Sequence, residues 1–176
     1  KANSFNDWNY VMWWEGQSYS GLIVPSTTDP GQYWKDHPPD PRGVAVITPQ
    51  QARGMYGIGK HQGKYDCLKQ RKEAEYWRVP GNVALDDWDT IYELMLGGVD
   101  PIQSTLEVQI TNEIIGSNLH RASLTRTSTV VGKWSAACQV IASPHHFDAI
   151  MALARGQVAL GGGSSYTYTL LMEGWF

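Results

Sequence analysis

Residues 10–25 read YVMWWEGQSYSGLIVP, and the fold turns on how this stretch is read. Two runs rich in strand formers flank Glu15-Gly16, which specifies a β-hairpin over about Trp8 to Val24. A half-buried strand alternates apolar and polar side chains. Here Val11, Met12, Trp13 and Trp14 follow one another, so large apolar groups are expected on both faces. Trp13 and Trp14 should point to opposite sides of the hairpin. One face can then fill the subunit's core while the other meets a neighbour.

The chain has 176 residues, the size of one domain, and can bury a core without staples. Its formal net charge of −3 is too weak to imply a cationic partner, and it argues against a dedicated nucleic-acid binder. The basic run Lys69-Gln70-Arg71-Lys72 is followed at once by Glu73 and Glu75 and reads as a solvated face rather than a phosphate site. No apolar run is long enough to span a membrane. The chain opens on Lys1 with no visible signal peptide, so a short or processed segment is expected before it. Cys67 and Cys138 fit either one disulfide or two buried thiols. The 8 Trp and 18 Gly suit a β-rich protein or a packed assembly interface better than a helical bundle.

Downstream of the hairpin, residues 25–43 hold five prolines and almost no periodicity, which predicts a long loop. Tyr33 and Trp34 in its middle suggest that it docks onto something. GVAVITP (residues 43–49) and AEYWRVPG (residues 74–81) read as short strands, and Thr48-Pro49 as the start of a helical turn. The intervening GMYGIGKHQGK is Gly-rich but lacks phosphate-loop spacing. A helix is expected over about 86–96, capped by Asp86, with Trp88, Ile91, Tyr92 and Met95 on one face. STLEVQIT alternates as a strand, and ASLTRTSTVV and KWSAACQVIA read as two more. A second helix is expected over about 144–155, capped by Ser143 and ended by Gly156, with Phe147, Ile150, Met151 and Ala154 as its core stripe. SYTYTLLMEGWF closes the chain as a strand. The sum is an α+β protein: a mostly antiparallel β-sheet or sandwich, two helices and a Pro-rich loop, in a single domain over 1–176.

Chemistry-bearing residues are sparse. His145 and His146 sit in the first turn of the second helix, but neighbouring helical residues diverge by about 100° and cannot easily serve one site. A metal site wants more ligands at a recognisable spacing. His61 and Cys67 form a conceivable thiol–imidazole pair that no motif supports. Asp86, Asp87 and Asp89 are explained by helix capping. No catalytic, metal or cofactor residue is therefore expected, and the chain is read as no enzyme. The order of elements from Tyr76 onward, with LGGGSS before the last strand, is similar to that of ferredoxin-like RNA-processing proteins of CRISPR systems. Tyr166-Thr167-Tyr168 stands where that family continues with glycines and basic residues. Exposed Trp13, Trp34 or Trp175 would alternatively suit a secreted carbohydrate-binding module.

The hairpin resembles the opening of bacteriophage tail-tube proteins: a strand, a tight turn and a second strand ending near a proline, here with Gly16, Ser18, Tyr19, Gly21 and Pro25. IYELMLGGVDPIQ (residues 91–103) is similar to that family's helix and turn, and YTLLMEGWF (residues 168–176) to its closing strand. The resemblance implies a non-enzymatic virion subunit that assembles into rings and tubes in the host cytoplasm. Its partners would be its own copies and other virion proteins, with no cofactor, no membrane, and nucleic acid at most passing through a lumen. Such a subunit needs apolar surface on more than one face. The expected interface residues are Trp13, Trp14, Tyr19, Tyr33, Trp34 and Trp175.

Overall fold

The computed structural model describes residues 3–81, 91 and 108–172. Among the described residues, ten strands and two helices follow in chain order: β1 (Asp7–Trp14), β2 (Tyr19–Thr27), α1 (Gln32–Asp36), β3 (Val44–Ile47), β4 (Gln50–His61), β5 (Tyr65–Gln70), β6 (Ala74–Val79), β7 (Gln109–Glu113), β8 (Leu119–Arg121), β9 (Gln139–Ile141), α2 (Pro144–Ala159) and β10 (Ser165–Leu170). Seven strands pair in the order β1-β2-β9-β8-β5-β4-β10, and three in the order β3-β6-β7. All these pairings are antiparallel except β8 with β9. The α+β, antiparallel-rich reading holds.

In the small sheet, β3 and much of β6 are apolar on both faces, and the pleat explains how they are used. Ala45, Ile47, Ala74 and Tyr76 join the main core, which Phe147, Ile150, Met151 and Ala154 of α2 also enter. The alternate residues Val44, Val46, Trp77 and Val79 form a second cluster with Ile91, Val108 and part of Trp34. Successive strand residues point to opposite faces, so a continuous run such as VAVI is what a strand covered on both sides requires. The four α2 core residues are those expected from its periodicity.

Several expectations are corrected. Residues 25–43 are not one long loop: Pro25 to Thr27 complete β2, and Gln32–Asp36 form α1. Pro25 is accommodated because it lies opposite Trp8, where β2 passes from β1 to β9. Gly31 enters α1 where a side chain would collide with the Gly132 carbonyl. Gly43 has a positive φ and packs against the Val79 carbonyl, so the end of this segment requires glycine. Thr48-Pro49 starts no helix; the chain passes directly into β4. The Gly-rich stretch after it is the long strand β4, in which Gly57 and Gly59 sit against the Arg71 and Lys69 side chains.

Residues 122–138 carry no strand, although two were expected over 122–142; of these only Gln139–Ile141 pair regularly. The alternating Thr residues there satisfy strand propensity, but that depends on a paired neighbour, and Thr125 and Thr127 face solvent. Helix α2 runs through Gly156 to Ala159 and turns only at the Gly161–Gly163 run. One glycine costs a helix only about 1 kcal/mol against Ala, so packing overrides it. Ser143 occupies the N-cap position without a side-chain cap bond, and Pro144 is at the start of the helix as expected. The helix expected over 86–96 lies outside the described residues, save that Ile91 is helical and fully buried.

Gln70 fastens the two sheets together. Its buried Oε1 accepts from the backbone N–H groups of Ile115, Gly116 and Ser117, and its Nε2 donates to the carbonyls of Lys72 and Glu113. The chain between β7 and β8 is thereby held against β5. In the basic run, Lys69, Arg71 and Lys72 face solvent as expected, whereas Gln70 is this hub. Arg78 of β6, itself buried, pairs with Glu113 at 3.0 Å and Asp40 at 3.7 Å, and Arg42 closes the group on both carboxylates. Hydrogen bonds, with Thr111 first and the two arginines after, hold Glu113 down at about 2. Asp40 is depressed chiefly by its bonds to Arg42.

Candidate functional site

Strict alternation governs the hairpin once it is folded. Along β1, exposure rises and falls at every residue from Asp7 to Trp14. The inward set includes Val11, which packs on the main core, and half-buried Trp13. The outward set is Trp8, Tyr10, Met12 and Trp14, each more than half exposed. Register places Pro25, Ile23, Gly21 and Tyr19 of β2 opposite them, on the same face. Trp14 and Tyr19 meet edge to face at 4.9 Å. Six large apolar side chains (Trp8, Tyr10, Met12, Trp14, Tyr19 and Ile23) thus share one solvent-facing surface.

That surface lies at a sheet edge. Among the described residues β1 pairs with β2 alone, so its other side is an open row of backbone donors and acceptors. Edge strands are commonly protected by lysine, proline, a bulge or shortness. β1 is eight residues long, contains neither Lys nor Pro, and pairs with β2 without a register shift.

Trp13 and Trp14 do point to opposite sides. Trp14 and Tyr19 belong to the exposed face. Trp13 faces inward, because it shares the parity of Val11. Tyr33 and Trp34 dock within their own chain: Trp34 Nε1 donates to the Lys133 carbonyl at 3.0 Å, and the Lys133 ammonium lies 3.9 Å above the Tyr33 ring. Trp175 lies outside the described residues. Trp8, Tyr10 and Ile23 were not singled out in the sequence, and Met12 only as part of the apolar run, although counting back by twos from Trp14 reaches Met12, Tyr10 and Trp8.

The candidate chemical residues are dispersed. His145 is exposed while His146 is half-buried, so the two diverge as helix geometry requires. Both cysteines are free; Cys67 is in the main core, where burial pushes its thiol up to about 11, away from a reactive thiolate. His61 instead stacks on His120, with ring centroids 4.0 Å apart. No cluster of metal-ligating side chains occurs among the described residues.

This histidine pair lines a cleft of about 500 Å³ between the β4–β5 turn, β8 and residues 130–134. Hydrogen bonding fixes both neutral tautomers. Asn118 accepts from the Gln70 backbone through Oδ1, so its Nδ2 donates to His61 Nδ1 and leaves the proton of His61 on Nε2. His120 Nδ1 lies 2.8 Å from the Arg121 carbonyl and must donate there, leaving Nε2 with a lone pair. That Nε2 has almost no exposed surface and makes no hydrogen bond, although the Trp134 carbonyl near the ring favours the protonated form. Burial first, then His61, pushes His120 down to about 4. Burial, and then Lys64, lowers His61 as well.

Comparison with known proteins yields no match: no protein-family model, no curated protein and no solved structure. No helix among the described residues is long and apolar enough to cross a membrane.

Proposed function

We propose that this chain is a non-enzymatic, self-assembling structural subunit of a virion, a phage tail-tube or related tail or head component, and that the outward face and free edge of the β1–β2 hairpin make the subunit contact. The observation that carries this reading is the outward face itself. Six large apolar side chains stand together beside an unprotected edge strand, and contiguous exposed apolar surface of this kind marks interaction sites. A second copy can add a strand to β1 through backbone pairing and cover the aromatic face at the same time. Copies and other virion proteins are the proposed partners, with assembly in the host cytoplasm.

The test is the oligomeric state of the purified chain over a concentration series, with negative-stain microscopy of the same samples. Rings or tubes are expected. A chain that stays monomeric at high concentration overturns the reading.

One observation favours a second reading. Trp8, Tyr10 and Trp14 stand in a row along one strand face, an arrangement that also suits stacking on sugar rings. Quenching of Trp fluorescence by a member of a carbohydrate panel, in a monomeric sample, would favour it. The ferredoxin-like RNA reading gains no such support, because the described strands from Tyr76 onward divide between the two sheets.

A further inference from the structure

The cleft beside the stacked histidines has a charge lining unlike the rest of this acidic chain. Lys64, Arg121 and Lys133 line it together with His61 and His120, and no Asp or Glu does. Two of these cations are held by aromatic rings. Arg42, Lys60, Arg78 and Arg155 each face a carboxylate within 4 Å. The Arg121 guanidinium instead lies 3.9 Å over the Tyr65 ring, and the Lys133 ammonium 3.9 Å over Tyr33. Neither forms an ion pair with a carboxylate among the described residues. An aromatic face positions a cation without neutralising it, and it leaves the in-plane N–H donors of a guanidinium free.

The His61 tautomer adds a hydrogen-bond donor. His61 carries a proton on Nε2 and lines the cleft. Trp134, nearly half exposed at the same cleft, offers a flat apolar surface. The volume is that of a small-molecule site.

We propose that this cleft binds a phosphate monoester, with Arg121 and Lys133 contacting the phosphate oxygens and His61 donating to it. Phosphate is favoured over a carboxylate because three cations and no carboxylate line the cleft, and a guanidinium fork matches two phosphate oxygens. The site is independent of the assembly surface, so either proposal can fail without the other.

The test is calorimetric titration of the full chain at low salt with inorganic phosphate, a mononucleotide and a short single-stranded RNA. Saturable binding of phosphate is expected. Tighter binding of the mononucleotide, with quenching of Trp fluorescence, is expected from stacking on Trp134. Lys133→Gln and Arg121→Gln should each weaken phosphate binding roughly tenfold, the effect of losing one charge-assisted contact. Lys133 is exposed and loses only its contact with the Tyr33 ring, so Lys133→Gln should keep the melting temperature within a few degrees and decides the matter if Arg121→Gln does not fold. No saturable binding of phosphate or mononucleotide, or unchanged affinity in Lys133→Gln, overturns the proposal. So does RNA binding with the mononucleotide inert, which would point to a polynucleotide surface instead.

Discussion

The small sheet and the hairpin carry the same sequence signature and meet different fates. VAVI of β3 and YVMW of β1 are both uninterrupted apolar runs, so each strand presents apolar groups on both faces. In β3 the chain covers both: Ala45 and Ile47 enter the main core, while Val44 and Val46 enter the second cluster. In β1 the chain covers one face only, and the other faces solvent. An apolar run on a strand therefore states that both faces want covering; it does not state whether the same chain supplies the cover. Where the chain does not, a partner is the natural candidate.

Charge scanning would break or sharpen this contrast most forcefully. Ile47→Asp and Val46→Asp should both unfold the protein, each costing more than about 4 kcal/mol for an unpaired buried carboxylate. On the hairpin only one face should respond so. Val24→Asp, at a fully buried position, should unfold the chain, while its neighbour Ile23→Asp, more than half exposed, should keep the melting temperature within a few degrees and abolish assembly. Thermal denaturation and light scattering on the four variants separate the cases. Equal damage from Ile23→Asp and Val24→Asp would show that the chain itself covers both hairpin faces.

A smaller loss is expected at the fastening between the sheets. Gln70→Leu removes five side-chain hydrogen bonds and strands buried backbone groups, and should cost on the order of 3 kcal/mol in urea denaturation without altering assembly by the folded fraction.

Acid should act on the body before the hairpin, in two windows. His120 ionises near 6.5 when unfolded and at about 4 when folded, so the unfolded state binds the extra proton first. Stability should fall as pH drops from about 6.5 to 4 and then level for this group; His120→Gln should flatten that slope. Glu113, with a depressed value of about 2 against an ordinary 4.5, contributes stability that is complete above pH 4.5 and disappears as pH falls through 2. Denaturant titrations at stepped pH read both windows.

The smallest effect is expected on the opposite edge. The solvent face of β10 carries Ser165, Thr167 and Thr169, and the strand shifts register against β4 between Tyr166 and Tyr168. Thr169→Val should change stability by no more than about 0.5 kcal/mol and leave assembly untouched.

Much of this was legible in local pattern. The hairpin, β3, β6, the core stripe of α2 and the opposed Trp13 and Trp14 follow from period two or 3.6 and from turn residues. β4 was obscured because its glycines read as loop, and β5 because Lys69, Arg71 and Lys72 masked the inward Cys67 and Leu68. The basic cleft left no local trace: His61 and His120 lie 59 positions apart (120 − 61) and meet only because β5 lies between β4 and β8.

The sequence alone determined which residues want to leave water and at what spacing, since that depends on side-chain chemistry and backbone period. Only the tertiary structure decided which apolar faces the chain covers for itself, and which charges meet without a counterion. Both depend on strand order and register, which are set by contacts between residues far apart in the chain.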